Sequence, residues 1–264
     1  MFEETSLPSV ETPLDLPPTP SSMAMRAREL SRVVKAMEPP DRISSLREVI
    51  GGPIVFTHGF GIEGQLIFHW ICAGDLDIDI VTIDTGRLFP ETYKLWAETE
   101  RRYGRRIRAV YPDRGPLEAL VRRQGIDGFY GSVRARKACC EVRKTQSLNR
   151  ALIGASAWIT GLRCDQTEIR AGAALLGFDA GQSLLKLNPL FDWTRPEVLA
   201  EVRANGVPIN ELHAKGFASI GCAPCTRAIK AGESERSGRW WWETGGNREC
   251  GLHLPQACTK WAEV

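Results

Sequence analysis

The sequence predicts an α/β protein: a parallel sheet with helices on both faces. Two observations carry that expectation. Short apolar, β-branched runs alternate with longer helical segments through the middle of the chain, and a glycine turn follows the first run and opens a helix. In order, residues 1–24 are rich in Pro, Ser, Thr and Glu, with Pro13, Pro17, Pro18 and Pro20 close together. Such a stretch buries too little apolar surface to order itself, so a disordered N-terminal tail is expected. Leu30, Val33, Val34 and Met37 have helical spacing and stop at Pro39-Pro40, with a second short helix over 43–49. Residues 53–57, 78–83 and 106–111 are predicted strands, each followed by a helix, over 62–73, 90–103 and 116–124. A helix after Cys139-Cys140 runs to about Leu152. Residues 158–160 and 184–187 make a fourth and a fifth strand. Thr194-Arg195-Pro196-Glu197 gives a hydroxyl cap, a first-turn proline and an acid, starting a helix to about Ala204. From 231 the chain turns polar and glycine-rich, broken by Trp240-Trp241-Trp242, and reads as a mobile tail. The organisation expected is a tail over 1–24, an α/β domain over 25–230 and a C-terminal tail over 231–264.

Composition narrows the class. The 264 residues, 43% hydrophobic and 25% charged, suit a soluble globular protein with a full core. A net charge of +2 argues against a general nucleic-acid binder, and local arginine clusters suit small anions instead. No apolar run approaches the roughly 20 residues of a membrane span, and no signal-peptide pattern opens the chain. Eight cysteines in such a chain point to metal or redox chemistry in a reducing cytoplasm.

The cysteines are the sharpest signal. Cys222-Ala223-Pro224-Cys225 directs two sulfurs to one metal or to each other. Cys139 and Cys140 are adjacent, among basic residues that help thiols ionise. A vicinal pair fits zinc spacing badly, whereas the separate corners of a cubane suit four such thiolates. Cys72 and Cys164 read as packing residues and Cys258 as incidental.

Around the strand ends lie candidate ligand loops. Gly59-Phe60-Gly61-Ile62-Glu63-Gly64 has the letters of a dinucleotide fingerprint, with Asp84 at the distance expected of its ribose partner. The safer inference is that backbone N–H groups and a helix N-terminus are offered to some phosphate, with His58 beside them. In Asp84-Thr85-Gly86-Arg87, Asp84 could accept from ribose or adenine and Arg87 could meet an anion; the same loop could equally cap the helix at Pro90. Gly161-Leu162-Arg163 ends the fourth strand similarly, which would turn Arg163 to the same crevice, with Arg170 further on. Arg236 and Arg239 flank a glycine ahead of the three tryptophans. Glu249-Cys250-Gly251-Leu252-His253 places a lone thiol near arginines and a histidine, surroundings that lower a thiol pKa. His69 and His213 read as structural.

Taken together, and in this order, these strings resemble the assimilatory adenylyl-sulfate reductases of the phosphoadenylyl-sulfate reductase family, over about residues 55–253. The resemblance makes the nicotinamide or flavin oxidoreductase the runner-up, and a zinc-stapled nucleotide- or RNA-binding module is the non-enzymatic rival. The resemblance implies an adenine-nucleotide alpha-hydrolase-like fold of the PP-loop type and a 4Fe–4S cluster on Cys139, Cys140, Cys222 and Cys225. Because both cysteine pairs are present, it implies adenylyl sulfate as substrate, ahead of its 3′-phosphorylated form. Cys250 would be the nucleophile, forming an S-sulfocysteine that thioredoxin resolves. Lys144, Arg236 and Arg239 would surround the sulfate and phosphate, while Arg163 and the glycine turn hold phosphate and ribose. His253 would position the tail or bind substrate. Two positions depart from the family: Gly59 stands where serine is common and Gly64 where aspartate is, leaving backbone N–H groups and His58 to compensate. This reading allows a homo-oligomer and expects no nucleic-acid partner and no membrane.

Overall fold

The computed structural model describes residues 19–244 and Glu249. Helix α1 (Pro20–Val34) begins inside the stretch expected to be a tail, because the Thr19 hydroxyl accepts from the Ser22 N–H and proline occupies the first turn. Helix α2 (Pro39–Val49) starts on two prolines. The core alternation then follows as β1 (Ile54–Thr57), α3 (Ile62–Ala73), β2 (Asp79–Ile83), α4 (Pro90–Tyr103), β3 (Arg108–Val110) and α5 (Arg114–Gln124). Gly104, at φ 64°, ends α4 in the left-handed conformation that glycine adopts without strain.

One unbroken helical stretch comes next: α6 (Val133–Cys140), a π-helical segment (Glu141–Thr145) and α7 (Gln146–Ala151). Beyond it lie β4 (Ala157–Ile159), α8 (Glu168–Ala171), β5 (Leu176–Asp179), β6 (Leu184–Leu187) and α9 (Arg195–Ala204). The predicted cap of α9 is present: the Thr194 N–H and hydroxyl both donate to Glu197 Oε2, at 2.6 and 2.7 Å.

Among the described residues the sheet has six strands in the order β3-β2-β1-β4-β6-β5. All pairs are parallel except β5–β6, where β5 is an antiparallel edge strand that the sequence reading missed. Period-two alternation separates the faces. Ile54, Phe56, Ile80, Ile159 and Leu187 join the larger core beneath α1–α4 and α9, while Val55, Val81, Trp158 and Leu184 pack against α7.

The chain steps outward from β1 to β3, then returns to lay β4 on the other side of β1. That reversal opens a crevice at the carboxyl ends of β1 and β4, where open α/β sheets bind ligands. Residues 231–244 do not leave the body as the expected mobile tail. Trp240 anchors the segment: its indole is buried, at 1% exposure, and its backbone N–H donates to the Cys225 carbonyl at 3.1 Å. Cys250, His253 and Cys258 lie outside the described residues.

Candidate active site

The crevice is built from strand ends. His58, Gly59 and Gly61 after β1, Thr85 after β2 and Gly161 after β4 line it, together with the first turn of α3. A Cβ on Gly161 would come within 3.1 Å of Glu63 Cβ and 3.4 Å of the Gly64 nitrogen, so glycine there lets the β4 end lie close to the α3 N-terminus. Gly59 faces open space. His58 is buried among Phe56, Phe60 and Phe68, and burial, outweighing the neighbouring Gln65 side chain, pushes its imidazole down to about 3. It is therefore neutral at any physiological pH, and neither ring nitrogen makes a well-formed hydrogen bond among the described residues.

Cations line the opposite wall: Lys144 from the π segment, Arg170 from α8, and Arg236 and Arg239 from the C-terminal segment. Arg239 stacks over Trp240 at 4.8 Å and donates to the Ile220 carbonyl at 3.3 Å. A Cβ on Gly221 would collide with its guanidinium at 2.2 Å, so this glycine makes room for an arginine at the crevice. Arg170 and Arg236 both hold the Glu249 carboxylate. Burial would raise that carboxyl, but Arg170, Arg236 and Arg239 outweigh it and keep it below the usual range.

Five expected contacts fall elsewhere. Phe60, at φ 56°, turns its ring into the core and stacks on Trp96 at 5.5 Å. Asp84 accepts from the Gly86 N–H and the Tyr93 hydroxyl, each at 2.8 Å, so Asp84 and Gly86 shape the loop and do not line the crevice. Arg87 points to Asp127 and the Ile126 carbonyl and lines the neighbouring cysteine pocket instead. Arg163 is wholly buried between Glu63, Asp165 and Glu235, the last two at 2.9 and 2.8 Å. Nε and Nη2 donate to Asp165 and Glu235 and Nη1 pairs with Glu63, so in this structure Arg163 braces the crevice wall.

Cys139, Cys140, Cys222 and Cys225 converge on that second pocket, between Arg87, Arg136, Arg143 and Lys144, with Phe129 and Trp240 as apolar walls. None of the four is in a disulfide. Among the described residues no three His, Cys, Asp or Glu side chains close to the spacing of a single-ion site. The donor chemistry nevertheless fits a thiolate-ligated metal group. Burial works against ionising Cys222, yet Lys144, the Thr85 hydroxyl at 3.3 Å and Arg239 outweigh it and lower the thiol. Cys225 is pushed up to about 12, by burial and then by Cys222 beside it; a bound cation would reverse that preference. Lys144 and Cys222 line both pockets, so the two sites share a wall.

Residues that the sequence reading left out complete the site. Arg143 donates to the Thr85 carbonyl at 2.6 Å, tying the π segment to the β2 loop. Arg136 and Glu249 join through space across 113 residues. No local pattern marks such partners, because their spacing in sequence is arbitrary.

Comparisons with known proteins agree with this architecture. Residues 53–228 match the phosphoadenosine phosphosulfate reductase domain. An adenosine 5′-phosphosulfate reductase of Sinorhizobium fredii (strain USDA 257) is 46% identical over 241 residues, covering 91% of this chain and 96% of that one. One from Rhizobium meliloti (strain 1021) is 51% identical over 208 residues, covering 79% and 78%. Among solved structures, the Candida auris phosphoadenylyl-sulfate reductase in its phosphate complex superposes with a TM-score of 0.66 at 23% identity, over 76% of this chain and 95% of that one. A Candida glabrata FMN adenylyltransferase does so at 0.50 and 15% identity, over 84% and 76%, a likeness of fold alone. The chain is an enzyme of the phosphoadenosine phosphosulfate reductase domain family, alongside its adenosine 5′-phosphosulfate reductase members.

Proposed function

We propose that this enzyme reduces adenylyl sulfate to sulfite and AMP, with thioredoxin as reductant, in the cytoplasm and in the service of sulfate assimilation and cysteine biosynthesis. The observation that supports it most is the wall shared by the two pockets: a cation-lined crevice at the sheet switch point, joined through Lys144 and Cys222 to a four-cysteine pocket. The glycine turn and the α3 N-terminus offer backbone N–H groups to the nucleotide phosphate. His58, neutral, offers a ring nitrogen to the nucleoside. Lys144, Arg236 and Arg239 hold the sulfuryl oxygens and offset the charge that builds as AMP departs.

In this reading the Cys250 thiolate attacks the sulfur. A new S–S bond forms, the bond from sulfur to the bridging oxygen breaks, and AMP leaves with that electron pair. One thiolate of the reductant then attacks the Cys250 sulfur and expels sulfite. The second closes the reductant's disulfide and returns Cys250, so the dithiol supplies both electrons. Cys139, Cys140, Cys222 and Cys225 are the residues that would hold a 4Fe–4S cluster, which when bound would tune the field around Lys144 without carrying the electrons. No described helix is long and apolar enough to cross a membrane.

The test is mass spectrometry of the iron-loaded protein incubated with adenylyl sulfate and no thiol. A gain of roughly 80 Da (SO₃) on the peptide carrying Cys250 is expected, and none in Cys250→Ser. Sulfite production by Cys250→Ser at the native rate would end the proposal.

A further inference from the structure

Two of the crevice cations already hold an anion that belongs to the chain. Glu249 Oε1 accepts from Arg170 Nε at 2.8 Å, and Oε2 accepts from Arg170 Nη2 at 3.1 Å and Arg236 Nη2 at 3.0 Å. The Glu249 side chain is 1% exposed. Its backbone is held as well, since Arg136 Nη1 donates to the Glu249 carbonyl at 2.8 Å. Arg136 is itself immobile: wholly buried, bidentate to Glu243 at 2.7 and 2.8 Å, and lying 4.7 Å over the Trp240 ring. Three arginines, from α6, α8 and the C-terminal segment, thus fix one residue by its carboxylate and its carbonyl.

The next residue is Cys250. We infer that Glu249 is a positioning residue for the reaction: clamped by Arg170, Arg236 and Arg136, it fixes the chain at the cationic wall immediately before the attacking thiol. The inference rests on the reading of Cys250 as nucleophile. Tethering the residue bonded to the nucleophile supplies part of the orientation that an unrestrained segment would have to find by search.

The clamp has a second consequence, which separates positioning from support of the fold. Glu249 neutralises two cations that line the crevice, so it competes with an incoming anion for Arg170 and Arg236. Removing its charge should leave nucleotide binding as tight or tighter while slowing sulfur transfer. A merely structural contact would weaken both together.

The experiment uses the iron-loaded full chain carrying Glu249→Gln or Glu249→Asp, read three ways: affinity for AMP, single-turnover rate of SO₃ transfer to Cys250 without reductant, and hydrogen exchange of residues 239–243. For Glu249→Gln the expected outcome is AMP affinity equal to or above the native value and transfer slowed about 100-fold, the scale of a small misplacement at a reacting centre. Exchange at 239–243 should be faster. Glu249→Asp, which keeps the charge, should recover part of the rate. Transfer by Glu249→Gln within twofold of native, or AMP binding weakened in parallel with the rate, would overturn the inference. Should Cys250→Ser still make sulfite, the nucleophile reading fails by itself. The exchange arm then still judges the clamp, and unchanged exchange in Glu249→Gln refutes it.

Discussion

A Cβ on Gly64 would lie 3.1 Å from the His58 ring, and that ring has nowhere to go, because Phe56, Phe60 and Phe68 surround it at centroid distances of 5.7, 4.4 and 5.4 Å. Gly64 sits inside α3, where alanine in place of glycine ordinarily adds about 1 kcal/mol. In the native background that gain should be cancelled by the ring, whereas in a His58→Ala background Gly64→Ala should recover it. Denaturant melts of the four proteins in this cycle test the coupling, and an equal gain in both backgrounds would contradict it. The same contact bears on one departure from the family's loop: a side chain at position 64 would press on the His58 ring. The sequence marked both residues but not their contact. It also read Asp84, Arg87 and Arg163 as ligand groups from their strand-end positions; in the structure each has partners within the protein that the sequence did not show.

At the scale of the element, the helix from Val133 to Ala151 serves two sites because its middle turn is π-helical. The α7 end is fixed on the sheet by Leu148 and Ala151, and the extra residue in the middle re-phases what precedes it. Cys139 and Cys140 then line one pocket, and Lys144 lines both. Inserting one alanine after the exposed Glu141 would add a residue beyond the one the π turn absorbs and rotate α6 by about 100° relative to α7. We expect that variant to keep its far-UV helix signal but to lose bound iron and visible absorbance after reconstitution. Full iron incorporation would argue against this role of the π turn. The sequence showed a helix running to about Leu152 and nothing of the π winding, since no residue pattern distinguishes i→i+5 from i→i+4 bonding.

For the molecule as a whole, Arg42 ties the N-terminal helices to the loop that follows β6. Arg42 of α2 is 4% exposed and bidentate to Asp192 at 2.5 and 2.8 Å; it also donates to the carbonyls of Pro189 at 2.7 Å and Met37 at 2.9 Å. Asp192 is 45% exposed, so the cost of Arg42→Ala falls at the low end for a broken buried pair, about 3 kcal/mol. In a chain of this size that lowers the melting temperature by roughly 6–12 °C. Arg42 is not among the crevice residues, so kcat/KM measured well below the transition should be unchanged. A melting temperature within 2 °C of native (about 1 kcal/mol or less) would refute the tie.

By itself the sequence determined the alternation, the strand-end loops and the two cysteine pairs. Those are local or periodic properties: β-branched runs, glycine turns, a proline in a first turn, thiols at fixed spacing. Only the tertiary structure decided which cations face the crevice, that Lys144 and Cys222 stand in the wall between two pockets, and that Glu249 is gripped by arginines 13, 79 and 113 residues away in sequence. The reason is physical. Charge pairing is chosen by distance and burial once the chain has folded, and neither leaves a period in the sequence.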